Sequence, residues 1–347
     1  MGNVLIVRNL NVDFMAPEGR IEAVRGVSFR VPQGKTVALV GESGSGKSVV
    51  SQSIMGILPK AGRISDGEII FFDPDKPQNF VDIVKIKEPE MRRLRGGRIS
   101  IIFQEPMTSL SPLHTVGDQI SEAFLLHNTA TRAEGIDATR EMLDMVGFPN
   151  ANQAVKTYPF ELSGGLRQRA MIAMALICRP AMLIADEPTT ALDVTIQAQI
   201  LQLMKDLQSQ LQMAILMITH DLGVVANMAD EIIVMYHGKV MEQGTLDHIF
   251  RNAEHPYLKA LLRAVPRFGM KSDERLVPIR EIKTEAGSLL KTRDPWPEGS
   301  ATDKPLLSVR NLGKEFQIRK SGLFGGSGGG TVKAVDNVSF DVPLGTC

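Results

Sequence analysis

Cysteine is almost absent: Cys178 and Cys347 are the only two in 347 residues. Two thiols so far apart make neither a disulfide framework nor a cysteine metal site, and their scarcity fits a reducing compartment such as the cytoplasm. No apolar run approaches the roughly 20 residues that a membrane-spanning helix needs, and residues 1–13 lack the basic start and apolar core of a signal peptide. If the protein acts at a membrane, a partner has to span it. Charge of one sign is lacking too, because 39 Lys plus Arg balance 39 Asp plus Glu. Without a global field, an anionic partner must be held by local groups, which favours a nucleotide over a polynucleotide. Apolar residues make up 43%, enough for a sizeable core, and the length suggests roughly two domains.

The chain is organised around Gly41-Glu42-Ser43-Gly44-Ser45-Gly46-Lys47-Ser48, preceded by the apolar run 36–40. Gly, four residues, then Gly-Lys-Ser predicts a buried strand, a phosphate-cradling loop and a helix running from about Gly46 to Leu58, ended by Pro59. Glycines let successive backbone N–H groups point into one concavity, and the helix start adds unpaired amides and a positive dipole end. Lys47 then acts as a point charge on the β- and γ-phosphates, and the Ser48 hydroxyl as an oxygen ligand to Mg²⁺. Taken alone, this loop says nucleotide and no more.

Upstream, residues 4–14 and 21–31 read as an antiparallel strand pair joined by a turn. Phe14 ends the first strand, either as a core residue or as a face on which adenine stacks. Strands are expected at 67–72 and 97–103, with the polar stretch 73–95 between them as a surface excursion. Gln104 follows the second of these strands, as a polar cap or as a ligand group of the kind open α/β sheets place at strand ends. Two helices, 116–127 and 132–147, without intervening strands, make a helical insert that offers a docking surface for another protein.

Ser163-Gly164-Gly165 opens a helix over 166–178, either as an ordinary N-cap with glycines for close packing or as a second helix N-terminus open to an anion. The apolar strand 181–185 then delivers Asp186-Glu187, two adjacent acids that are costly unless they bind something. Asp186 suits Mg²⁺, directly or through water, and Glu187 suits polarisation of an attacking water. A helix over 194–212 and a strand over 213–219 lead to His220, the only one of six histidines placed at the end of a core strand, where its imidazole can meet a γ-phosphate. Cys178 reads as a small buried apolar residue. Strands 231–236 and 239–242 complete the sheet, short helices follow at 245–251 and 256–265, and 266–305 reads as a linker.

Residues 306–347 repeat the start of the chain. Val309-Arg310-Asn311-Leu312 and Phe316 match Val7-Arg8-Asn9-Leu10 and Phe14, while Val338-Ser339-Phe340 match Val27-Ser28-Phe29. The expectation is a second copy that stops at Cys347 before its own phosphate loop.

The phosphate loop, Gln104, Leu162-Ser163-Gly164-Gly165, Asp186-Glu187, Ala191-Leu192-Asp193 and His220 together resemble the ATP-binding subunits of ABC transporters, in the family's order and over residues 4–265. More narrowly, Phe103-Gln104-Glu105-Pro106 and His255-Pro256-Tyr257-Leu258 are similar to the dipeptide and oligopeptide importer branch. The repeat resembles members with two ATPase domains in one chain. Leu166 replaces the glutamine of the commonest signature, which this branch tolerates.

The resemblance implies an α/β fold: a P-loop NTPase core sheet with an antiparallel β subdomain and an inserted α-helical subdomain. It divides the chain into an ATPase domain at 1–250 with its helical insert at about 105–178, a C-terminal extension and linker at 251–305, and the truncated second domain. Implied roles are Phe14 on adenine; Gly41, Glu42, Ser43, Gly44, Ser45, Gly46 and Lys47 on phosphates; and Ser48 and Asp186 on Mg²⁺. Gln104 lies near metal and water, Glu187 is the general base, and His220 holds the γ-phosphate. Ser163, Gly164 and Gly165 complete the ATP site of a second ATPase domain, in a homo- or heterodimer. Other implied partners are integral membrane permease subunits and a solute-binding protein, with no nucleic acid, and the place is peripheral, at the cytoplasmic face of the inner membrane. The cysteine cluster of some relatives is missing, so no iron–sulfur cluster is expected. The alternatives are a non-transport tandem ATPase acting in translation or on DNA, and an inactive fragment.

Overall fold

The computed structural model describes residues 2–264, apart from 18, 77, 105–108 and 191, together with 305–317 and 331–343. The expected linker at 266–305 lies outside the described residues except at its last position. They fall into two units, within Met1–Ile279 and Arg280–Cys347.

In the first unit, β1 (Asn3–Ala16) and β2 (Gly19–Pro32) pair antiparallel, and β3 (Thr36–Val40) leads through the phosphate loop into α1 (Lys47–Met55). The helix stops three residues earlier than Leu58. Gly56, at φ 61°, turns the chain into the left-handed region and its N–H closes on the Gln52 and Ser53 carbonyls, so glycine ends the helix before proline has to. β4 (Gly62–Phe72) and β5 (Phe80–Asp82) complete a four-stranded antiparallel sheet of order β2-β1-β4-β5. The expected surface excursion is therefore not one: it supplies β5 and α2 (Glu88–Leu94), whose Met91 is buried with Ile83 in the core. These apolar residues are too sparse among charges to signal a period.

β6 (Ile99–Ile102) enters the second sheet; α3 (Val116–His127), α4 (Arg132–Met145), α5 (Ala151–Ala154) and α6 (Gly164–Leu176) form a helical layer. Thr131 and Glu134 cap α4 reciprocally, each side chain taking the other's backbone N–H. Then come β7 (Met182–Asp186), α7 (Val194–Leu211), β8 (Ala214–Thr219), α8 (Leu222–Met228), β9 (Glu231–Tyr236) and β10 (Lys239–Thr245). The sheet order is β10-β9-β3-β8-β7-β6, parallel from β9 to β6. Every residue of β3, β7 and β8 is buried, as expected of parallel strands covered on both faces.

One face meets the antiparallel sheet and α1 through Leu39, Ile54, Phe71, Ile184 and Leu216. The other meets the helical layer through Ile102, Leu143, Ile172, Ala185 and Met217. Behind β3 and β9, α8 packs with α9 (Leu246–Arg251) and α10 (Pro256–Arg263) around Val225, Ile249 and Leu258, all three fully buried. The start of the expected extension thus packs into the core of the first unit.

In the second unit, β11 (Leu307–Gln317) and β12 (Thr331–Val342) form an antiparallel pair whose register repeats that of β1 and β2. Val309 faces Phe340 as Val7 faces Phe29, and Leu312 faces Val338 as Leu10 faces Val27. The Asn311 N–H reaches Ser339 Oγ at 2.8 Å, as the Asn9 N–H reaches Ser28 Oγ at 2.8 Å. Both asparagines have positive φ, a conformation their short polar side chain tolerates.

Phe71 is fully buried between the two sheets. Phe71→Ala is expected to destabilise the fold by about 3–5 kcal/mol, read as a lower urea midpoint, because the ring leaves a void that the strands on either side cannot close. A loss below about 1 kcal/mol would show that this contact is dispensable.

Candidate functional site at the carboxyl edge of the parallel sheet

Parallel neighbours present their carboxyl ends along one edge, and β3, β8, β7 and β6 are successive neighbours. The phosphate loop follows β3, His220 follows β8, Asp186-Glu187 ends β7, and Gln104 lies just beyond β6. Four segments far apart in the sequence reach one edge because the ladder aligns their strands.

Lys47 is buried in the loop, its Nζ donating to the Gly41 and Glu42 carbonyls at 2.8 Å each and to Ser45 Oγ at 3.3 Å. Burial lowers its pKa, opposed by the carboxylates of Glu187, Asp186 and Glu42. Gly46, the N-cap of α1, has no side chain with which to cap the helix, so the first turn's amides are open to an anion. The loop approaches β9 so closely that a Cβ on Gly41 would be driven into the Met235 carbonyl oxygen. A Cβ on Gly46, where φ is 98°, would lie 2.6 Å from the Ala23 carbonyl oxygen. Beyond β9, the Gly238 N–H donates to the Ser45 carbonyl at 3.0 Å.

The two acids at the end of β7 have opposite surroundings. Asp186 is buried, and burial, reinforced by the Glu187 charge, raises its pKa against the hydrogen bond from Ser48. Ser48 Oγ is 3.5 Å from Asp186 Oδ1. Two hard oxygens held together, one on a carboxylate that burial disfavours, fit a small divalent cation, whose charge would relieve that cost. Glu187 has φ 48°, a strained value for a side-chain-bearing residue, and its N–H is tied to the Ile218 carbonyl at 2.8 Å.

The turn aims the Glu187 carboxylate at three partners. His220 Nδ1 lies 2.8 Å from Oε1, while Gln104 Nε2 donates to Oε2 at 2.9 Å and Thr190 Oγ1 donates to Oε2 at 3.0 Å. Burial pushes its pKa up, but the His220 and Thr190 hydrogen bonds outweigh it and leave Glu187 below the usual range. Thr190 is a participant that sequence reasoning missed; inside a turn, nothing but its position three residues after Glu187 signals it.

Two groups of expected residues stand apart from this cluster. Phe14 lies on the antiparallel sheet, half-buried with its ring against Gly62. Ser163 caps α6, its Oγ accepting from the Leu166 N–H at 3.3 Å. A Cβ on Gly165 would meet Ile196 of α7 at 3.0 Å, and one on Gly164 would meet Leu192 at 3.7 Å. Within this chain they are an N-cap and close-packing glycines. Cys178 is half-buried, and desolvation pushes its thiol up to about 11, away from the thiolate form.

Residues 24–190 match the family described as ABC transporter, and residues 241–292 the family described as Oligopeptide/dipeptide transporter, C-terminal region. The Glutathione import ATP-binding protein GsiA of Escherichia coli (strain K12) is 47% identical over 345 residues, 98% of this chain and 54% of that protein; its counterpart in Shigella boydii serotype 4 (strain Sb227) matches with the same figures. The chain thus spans about half the length of these relatives. Among solved structures, the dimeric post-hydrolysis state of the ATP-binding cassette MJ0796 bound to ADP and Pi is 26% identical, with a TM-score of 0.60 over 70% of this chain and 98% of that one. CbiO1 from Clostridium perfringens, part of the ABC transporter complex cbiONQ, is 28% identical with a TM-score of 0.60, over 76% of this chain and 96% of that one.

The depressed pKa of Glu187 carries a pH signature. Its hydrogen bonds stabilise the fold above the ordinary glutamate value, about 4.3, and that contribution is lost as pH falls through the lower folded value. The wild type is therefore expected to lose more stability than Glu187→Gln between about pH 6 and pH 3, measured by urea unfolding. Equal losses would contradict the assignment.

Proposed function

The chain belongs to the ABC transporter family of ATP-binding cassettes, and on that premise we propose that it is the ATP-binding and hydrolysing subunit of an importer for di- or oligopeptides or related small solutes. The observation that carries the enzymatic part is the convergence of Gln104, Thr190 and His220 on Glu187 at the edge that also bears the phosphate loop. The peptide-importer part rests on the match at residues 241–292 and on relatives named for import of glutathione, itself a small peptide.

In this reading, the phosphates enter the concavity of residues 41–47 and replace the Gly41 and Glu42 carbonyls as partners of Lys47. Ser48 and Asp186 would hold Mg²⁺, with Gln104 nearby, and the ion would supply positive charge against that of the phosphates. His220 exchanges Glu187 for the γ-phosphate, which leaves Glu187 to accept a proton from an attacking water. The water oxygen bonds to the γ-phosphorus, the bond to the bridging β–γ oxygen breaks, and ADP leaves with phosphate. Positioning and charge stabilisation supply most of the rate in such transfers. Phe14 offers its face to adenine.

Ser163, Gly164 and Gly165 act on the site of a second ATPase domain, paired so that each domain completes the other's site. The helical layer faces integral membrane permease subunits, with a solute-binding protein delivering cargo, and the assembly lies peripherally at the cytoplasmic face of the membrane. Among the described residues no helix is long and apolar enough to cross a membrane. In domain terms, 1–250 is the ATPase domain with its insert at about 105–178, 251–305 the extension and linker, and 306–347 the start of a second copy.

Glu187→Gln is expected to lower ATP turnover by roughly 10²- to 10⁴-fold while leaving ATP binding intact, as loss of a general base does. Near-normal turnover would remove Glu187 from the role of base. Co-purification with membrane permease subunits supports the transport reading, whereas recovery with ribosomes or DNA would replace it with a translation or DNA-associated ATPase.

A further inference from the structure

The turn that carries Glu187 is fixed at three points. The Glu187 N–H donates to the Ile218 carbonyl of β8 at 2.8 Å, and the Thr190 N–H donates back to the Glu187 carbonyl at 3.2 Å. Between them, the Pro188 carbonyl accepts from Gln168 Nε2 on α6, a side chain only 1% exposed. Pro188 and Thr189 are buried, so the turn is anchored from within the core, and Thr190 stands exposed at its end.

This anchoring separates the three partners of the Glu187 carboxylate. Thr190 shares the turn and keeps its place relative to Glu187 for as long as the turn holds, whereas His220 lies beyond β8 and Gln104 beyond β6. The oxygens are divided between them. His220 Nδ1 is 2.8 Å from Oε1, and Oε2 accepts from Thr190 Oγ1 at 3.0 Å and from Gln104 Nε2 at 2.9 Å. A glutamate's last torsion is soft, so an unrestrained carboxylate would offer a water either oxygen in many orientations. A donor fixed to the same backbone removes that freedom, and orientation of this kind is a large part of what a catalytic site supplies.

We infer that Thr190 is a positioning residue for Glu187: its hydroxyl keeps Oε2 engaged and thereby presents Oε1, the oxygen that His220 gives up, to the attacking water. The inference rests on the proposed role of Glu187 as general base, and adds which oxygen takes the proton and which residue selects it. The water proton passes to Oε1 as the water oxygen bonds to the γ-phosphorus. Thr190 neither gains nor loses a proton, so its hydrogen bond persists through the step.

The test is ATP hydrolysis by the full chain as wild type, Thr190→Val, Thr190→Ser, Glu187→Gln and the Thr190→Val/Glu187→Gln double variant, with ADP binding by isothermal titration and thermal unfolding of each. Valine keeps the shape of threonine without the donor, and serine keeps the donor without the methyl group. Thr190→Val is expected to lower kcat and kcat/KM together by roughly tenfold, the scale of losing one hydrogen bond to a charged group. KM, ADP affinity and melting temperature are expected to stay as in the wild type, and Thr190→Ser to restore kcat to within about twofold. In the Glu187→Gln background Thr190→Val is expected to cost nothing further, because no base remains to be aimed. A defective Glu187→Gln beside a Thr190→Val of normal kcat, a Thr190→Val defect confined to KM, a Thr190→Ser without recovery, or full additivity in the double variant overturns this inference alone. Near-normal turnover of Glu187→Gln, or a wild type that binds ADP and hydrolyses no ATP, overturns the role of base and this inference with it.

Discussion

The hydrogen-bond ladder from β9 through β3, β8 and β7 to β6 is the constraint on which the site depends. A parallel ladder leaves neighbouring strands no freedom to slide, because a slip of one residue would turn every buried side chain to the wrong face. With β3, β7 and β8 buried along their whole length, both covering layers enforce the register. Glu187 can then take partners from β6 and β8 at hydrogen-bond distance with no chain connection nearby.

Against that rigid edge, two adjacent carboxyls are pulled in opposite directions. Asp186 continues the buried strand and meets desolvation with little compensation, which favours a cation beside it. Glu187 is swung out by a left-handed backbone step into hydrogen bonds that keep it ionised. Environments that separate the pKa values of neighbouring acids mark sites where the two have different work to do. The strained φ of Glu187 persists because the Ile218 carbonyl on one side and the His220, Gln104 and Thr190 side chains on the other over-determine it.

The parts legible in the sequence were those with an unambiguous period or a fixed spacing. Continuous apolar runs at 36–40, 181–185 and 213–219 read as buried strands that lead to the phosphate loop, to Asp186-Glu187 and to His220, and the glycine spacing of the loop singles out Lys47. Less legible were elements held by tertiary contact. β5 and α2 are short and lie among charges, with single buried residues near them, Ile83 just after β5 and Met91 within α2. α8 is a seven-residue helix capped by Asp221, too brief to declare itself. Thr190 acts through one hydroxyl inside a turn, which no local pattern encodes.

The repeated hairpin separates what a strand pair fixes by itself from what its surroundings add. Leu10, Val27 and Phe29 are at most 6% exposed, whereas their counterparts Leu312, Val338 and Phe340 are 41–49% exposed among the described residues. The same pattern that closes a core in one place presents bare apolar surface in the other, and a two-stranded ribbon has little stability of its own in water. Register and side-chain alternation thus belong to the strand pair itself, whereas burial is contributed by the layer that lies against it, as α1 and the parallel sheet do for β1 and β2.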